Sequence, residues 1–443
     1  MRLPPHHHER TAGGTDLVAV DWAGADLTEL RLVLPVLRTD PRTAVLAHLL
    51  GRLLPLGPTD AGFAAHDERM LEHGAGVSSG GGVDRVTVSA TVPPDQLRWA
   101  LEDLVGRVLA PAFTPTAVAE AVRAERTRLT RAAAHRETEV HRVLARSRWG
   151  PGHPYAHPLP TAEDLARLEE DGELDPDALA RSAHARLTLD GATVVVVGDL
   201  GTDGGRRWPD AVGPLRDVLD TAGPGAPAPP APGDPGPRQV PRLLVPVGDD
   251  EVTASVRLWS PAPQRQHPDH PALLQFGMVL GGYFGSRLNQ ELRERRGDVY
   301  GVSTGFEVLA TAATFVLMLE CPVDRLDAVH ATVLDTVADL RRDGPGEDEL
   351  RAAVRYSTNA VTVGMATPAA LAGAGASVVF GGDTLDLWAR QAGIAATLRP
   401  AEVAAAGERH LSPSALIDLV AAPAAAVTGT DVRRPDEVEG SSA

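Results

Sequence analysis

The stretch Thr43-Ala44-Val45-Leu46-Ala47-His48-Leu49-Leu50-Gly51-Arg52-Leu53-Leu54 looks like a helix built to hold a metal, yet it offers one ligand, His48. A lone histidine cannot hold zinc tightly, because affinity comes from several converging ligands. A second set lies downstream: His66 and His73 have a spacing that can place both on one helical face, with Glu68 and Glu72 beside them. The other histidines form weaker patterns. His6 to His8 fall in a Pro-containing start, His153 and His157 sit among prolines as turn residues, and His135 and His141 point to different helical faces. Cys321 is the single cysteine, which rules out an internal disulfide and fits a small apolar strand residue. Phosphate-loop and Cys-x-x-Cys motifs are absent.

The elements that must position these groups fall into two halves. At 443 residues the chain exceeds one ordinary core, and 43% apolar against 23% charged residues is a globular composition. No run of about 20 apolar residues exists, and the opening Met-Arg-Leu-Pro-Pro lacks the apolar core of a signal peptide; both predict a cytoplasmic protein. A net charge of -17 repels nucleic-acid phosphates and leaves room for a basic peptide. Every fixed cation is arginine, since the chain has no lysine.

Residues 222–237 are rich in Pro and Gly, and neither helix nor sheet tolerates so many missing amide donors and so much backbone freedom. The chain therefore divides into a disordered start (1–12), an N-terminal domain (13–203), a linker (204–239), a C-terminal domain (240–430) and a loose tail (431–443). The halves resemble each other. Val86 to Val92 alternates as a strand and runs through Pro93-Pro94-Asp95 into an amphipathic helix; Thr314 to Cys321 does the same through Pro322-Val323-Asp324, making Asp95 and Asp324 equivalent. From Thr114 to Trp149 the sequence predicts one or two long helices burying Val118, Val122, Leu129, Val140 and Leu144. The predicted class is α+β: two homologous domains, each an antiparallel sheet with helices packed on one side.

The most specific segment is Leu280-Gly281-Gly282-Tyr283-Phe284-Gly285-Ser286-Arg287-Leu288-Asn289-Gln290-Glu291-Leu292-Arg293-Glu294-Arg295-Arg296-Gly297-Asp298-Val299-Tyr300. Its Gly-Gly loop, Ser-Arg-Leu, Leu-Arg-Glu and Gly-x-x-Tyr resemble the C-terminal domain of the insulinase/pitrilysin metallopeptidases. That resemblance implies that Arg293 and Tyr300 reach an active site, hold substrate and stabilise the transition state; guanidinium and phenol are donors suited to a peptide carbonyl or its oxyanion.

The resemblance extends to the first half, with Leu17 to Leu37 as paired strands before the helix that contains His48. Active members carry His-x-x-Glu-His there, two ligands and a general base. Here His48 fits the first position, Gly51 replaces the glutamate and Arg52 the second histidine. The third ligand of the family follows a Glu-Arg-x-x-x-x-x-Glu pattern; Glu125-Arg126 matches its start and Ala132 falls where the ligand would be. The resemblance therefore implies no metal in this chain. It also implies that Gly80-Gly81-Gly82 lies where a substrate-pairing edge strand belongs, either a lost edge or a flexible loop over a partner's chamber.

Retained Arg293 and Tyr300 beside a degenerate metal helix resemble the non-zinc-binding subunit of a heterodimeric peptidase, whose zinc sits in a His-x-x-Glu-His partner. Two alternatives stay open: an inert scaffold with the same fold, and a self-sufficient hydrolase built on His66, Glu72 and His73.

Overall fold

The computed structural model describes residues 3–36, 40–56, 68–202, 204–223, 227–228, 232–427 and 432–434. Two six-stranded sheets organise it. The first contains β1 (His6–Arg10), β2 (Asp16–Asp21), β3 (Thr28–Pro35), β4 (Gly76–Gly81), β5 (Arg85–Val92) and β6 (Thr193–Gly198), in the order β1-β2-β6-β3-β5-β4. The second contains β7 (Arg242–Val247), β8 (Thr253–Ala262), β9 (Val302–Val308), β10 (Ala313–Pro322), β11 (Ile417–Pro423) and β12 (Val432–Arg433), in the order β12-β7-β11-β8-β10-β9. The strand orders match at five positions and differ at the sixth, where β1 precedes its sheet's other strands and β12 follows them. Asp95 and Asp324 lie in equivalent short turns, Pro94–Gln96 and Val323–Arg325, that lead into the helices Leu97–Leu109 and Leu326–Asp343.

Pairing is antiparallel except for β2–β6, β7–β11 and β7–β12. The strands within 17–37 are therefore not paired with each other: β6 lies between β2 and β3. Its Thr-Val-Val-Val-Val-Gly run is buried throughout, as a strand covered on both faces requires.

Each sheet packs most of its own helices on one face and receives a helix from the other half on the opposite face. Helix Arg136–Trp149 lays Val140, Val143 and Leu144 on Leu243, Val245, Trp259 and Leu419 of the second sheet. Helix Pro368–Phe380 lays Leu371, Ala372, Ala376 and Val379 on Val18, Val20, Val33, Val195 and Val197 of the first. Each follows the equivalent helix of its repeat, Pro115–Ala133 or Glu347–Gly364. A fully buried Val or Leu contributes about 1.5–3 kcal/mol, so a few such residues per helix suffice to weld the halves together.

Three boundaries differ from the sequence reading. Residues 6–10 form edge strand β1, its backbone paired to β2 and His7 stacked 5.8 Å from Trp208; this support comes from residues remote in sequence. The segment 204–239 contains the helix Trp208–Ala222, whose Val212, Leu215, Val218 and Leu219 enter the core despite Pro214. In the tail, Val432 and Arg433 pair with β7. The Pro/Gly segment itself is docked: fully buried Arg148 donates to Asp234 Oδ2 at 2.7 Å and to the Gly236 carbonyl at 3.3 Å. Among the described residues, no single helix is long and apolar enough to cross a membrane.

Candidate functional site

Helix Pro41–Leu53 begins at Asp40, whose side chain accepts from the Thr43 amide, and buries Val45, Leu46, Leu49 and Leu50. This fixes the outward face carrying His48 and Arg52 against helix Pro115–Ala133. The residue it meets there is Glu125, not Ala132, which lies near that helix's end. Arg52 Nε stands 3.4 Å from Glu125 Oε2, His48 Nδ1 stands 3.3 Å from Glu125 Oε1, and Arg128 holds both carboxylate oxygens at 2.5 and 2.9 Å. The Glu125 side chain has no exposed surface. Burial alone would raise its pKa, but hydrogen bonds from Arg128, with His48 adding, outweigh burial and bring it down to about 2.

This group does not fit zinc. His48 Nδ1 is already enclosed by this group, 2.7 Å from Arg128 Nη2 and 3.3 Å from Glu125 Oε1. Glu125 is committed to arginines, and Arg52 adds a permanent cation at the second ligand position. Gly51 leaves room on its other side: a Cβ there would lie 3.4 Å from the Gly81 nitrogen, and the Ser79 hydroxyl donates to the Gly51 carbonyl. The glycine-rich segment is thus neither lost nor a loose loop. Gly76–Gly81 pairs with β5 along its length, because backbone hydrogen bonds carry the strand where side chains are missing.

His73 stacks on Trp99 with centroids 3.7 Å apart and bonds Gln96 Oε1 at 2.7 Å, a packing role; His66 lies outside the described residues. One other metal-like group, His267, Asp269 and His410, has its ligand atoms within 4.8 Å of one another. Arg409 already holds both Asp269 oxygens at 2.9 Å, which neutralises the carboxylate.

In the second half, the motif residues do converge. The chain passes from helix His270–Gly277 through wide helical turns at Met278–Gly282 and Asn289–Arg295. Gly281 lies tight against β9: a Cβ there would sit 2.9 Å from Val302 Cγ1 and 3.0 Å from Thr304 Cγ2. Gly297, with φ +68°, follows the second turn. Arg287 fixes the segment from outside, donating to Glu349 at 2.8 and 2.9 Å and to the Gly344 carbonyl at 3.0 Å.

Asn289 fixes it from inside. Buried, it donates to the carbonyls of Gly281, Tyr283 and Val302 at 3.0–3.2 Å and accepts from the Val302 amide at 2.9 Å. This framework presents Arg293 outward, with its guanidinium carbon 5.5 Å from the Tyr300 ring centre and 5.0 Å from that of Phe284. Tyr300 is 91% exposed and Phe284 57%. Among the described residues, neither Arg293 nor Tyr300 makes a hydrogen bond or ion pair to the first half; Arg293 pairs only with its neighbour Glu294, at 3.4 Å.

The family description "peptidase M16 inactive domain" matches residues 173–356, a span that contains the whole Gly-Gly to Tyr300 motif. Over that span the chain is similar to the insulinase/pitrilysin, or M16, peptidases, as its motif implied. Uncharacterized zinc proteases of Mycobacterium bovis and Mycobacterium leprae are similar to it, 33% identical over 109 residues and 30% over 125. These matches cover 25% and 28% of this chain and the same shares of the relatives, so only about a quarter of each relative's length is involved. A peptidase M16 inactive domain from Pseudomonas fluorescens has the same fold, with TM-score 0.81 and 22% identity over 96% of this chain and all of the other. A protease from Helicobacter pylori does too, with TM-score 0.81 and 14% identity over 95% of this chain and all of its own.

Sequence reasoning identified Arg293, Tyr300 and His48 and missed three partners. Phe284 was visible as an aromatic beside a glycine turn. Arg128 lies three residues after Glu125, the spacing that places two side chains on one helical face. Asn289 gave no signal, since its role depends on carbonyls brought together only by folding.

Proposed function

We propose that this chain is the zinc-free subunit of a two-subunit zinc peptidase that cleaves peptides, with Arg293 and Tyr300 completing the active site of a zinc-bearing His-x-x-Glu-His partner. The observation that carries this reading is the preorganised, outward-facing group of Arg293, Tyr300 and Phe284 in a chain whose own metal position is filled by arginines. An exposed aromatic pair flanking a guanidinium costs solvation and brings no packing of its own. It suits a surface that another molecule covers.

In the assembled site, the guanidinium would hold a substrate carbonyl and the phenol would donate to the oxyanion formed on it. The zinc and the general base belong to the partner. A purely structural member of the same family would not need either side chain, and mutation separates the readings. Arg293→Ala and Tyr300→Phe should leave assembly intact on size exclusion while lowering peptide cleavage by the pair about 10²–10³-fold, the effect of losing one oxyanion donor. Unchanged cleavage would leave the scaffold reading in its place.

A further inference from the structure

The face of the second sheet that receives helix Arg136–Trp149 is only partly covered by it. Beyond the helix, a pocket of about 550 Å³ opens over β8, β9 and β10. Its walls include Trp259, Val316, Met318 and Leu144, with His141 and Glu307 at their side. This is the size and apolar character of a small-molecule site with few polar groups to orient the ligand.

The charges lining it are unequally matched. Arg257 donates to Glu137 at 2.8 Å and to the carbonyls of Val256 and Leu319 at 3.2 and 3.0 Å, so that cation is already satisfied. His141 meets Trp259 edge-on at 5.5 Å, and burial lowers its pKa, keeping the ring neutral. Glu307 differs: among the described residues its carboxylate has no hydrogen bond or ion pair. Burial and the neighbouring charge of Asp84 push its pKa up, outweighing the more weakly acting Arg148 cation. A half-buried carboxylate without a partner is unfavourable, and an incoming cation would relieve it. The Trp259 ring nearby favours the same kind of guest.

We propose that this pocket binds a small organic cation, its apolar body lying on Trp259 and Met318 and its positive charge meeting Glu307. The site uses neither Arg293 nor Tyr300, so it stands or falls separately from the subunit role.

The test is calorimetric titration of the full chain with 2-phenylethylammonium and with its neutral counterpart 2-phenylethanol. The ammonium should bind about tenfold or more tightly than the alcohol. Glu307→Gln should erase that preference while keeping the weaker binding of the alcohol. Gly305 faces Val316 across the β9–β10 pair, and a Cβ there meets nothing within 4 Å. Gly305→Leu should therefore fill the pocket and abolish binding of both, with the thermal transition retained as a check on folding. Competition by an acetyl-Gly-Lys-Gly amide peptide would show that a peptide side chain can supply the same ammonium; failure to compete would confine the site to free amines. Equal affinity for the two probes, a preference that survives Glu307→Gln, or no binding of either would overturn the proposal.

Discussion

Arg52 Nε lies 3.4 Å from the Glu125 carboxylate, so a guanidinium stands at the position that the His-x-x-Glu-His pattern gives to the second zinc ligand. The buried acid has not been left unpaired by the loss of metal chemistry. With Arg128 and His48 it forms a compact ionic core between two helices.

That core makes stability sensitive to acid. A carboxyl held at about 2 in the folded chain and near 4.5 when unfolded stabilises the fold above its unfolded value, and this contribution is lost as pH falls from about 4.5 to about 2. It amounts to about 3 kcal/mol. Glu125→Gln should lower stability at pH 7 by that order and flatten the acid limb of the denaturation curve across this window. A variant with the wild-type acid profile would show that the ionic core is not what holds the two helices together.

Replacing Asn289 with Ala should be costly in a different way. It would orphan the Val302 amide and remove a donor from the buried carbonyls of Gly281 and Val302, and each buried polar group left unsatisfied costs about 1–3 kcal/mol. The expected result is a lower midpoint in urea together with loss of the Arg293 presentation, seen as reduced cleavage by the assembled pair. A stable variant with full cleavage would remove Asn289 from the framework.

The reciprocal helices predict behaviour of the halves. Cleavage of the chain within 223–239 should leave the two fragments associated and melting in one transition, since each fragment carries the helix that covers the other's sheet. Fragments that separate on size exclusion, or melt in two steps, would contradict the exchange.

Much of this fold was legible in residue patterns. The strand-turn-helix unit around Asp95 and Asp324 repeats in the structure because both copies use the same local signals: alternation, a proline-containing turn, then an amphipathic run. The motif around Arg293 was legible because glycines at tight approaches leave a readable spacing. What was not legible depends on distant partners. β1 forms because β2 offers it an edge, β4 persists despite its glycines because β5 pairs with it, and helix Arg136–Trp149 shows a buried stripe without saying which sheet receives it. The role of Glu125 was hidden for the same reason: the start of a ligand pattern does not show which helix its side chain meets.

The most direct measurement is peptide hydrolysis and metal content of the purified chain, alone and mixed in equal amounts with an intact His-x-x-Glu-His relative from the same source. The chain alone should be metal-free and inert, and should raise the relative's cleavage rate in a way that Arg293→Ala abolishes. A chain that holds stoichiometric zinc and cleaves by itself, or one that leaves the relative's rate unchanged, would contradict the subunit role.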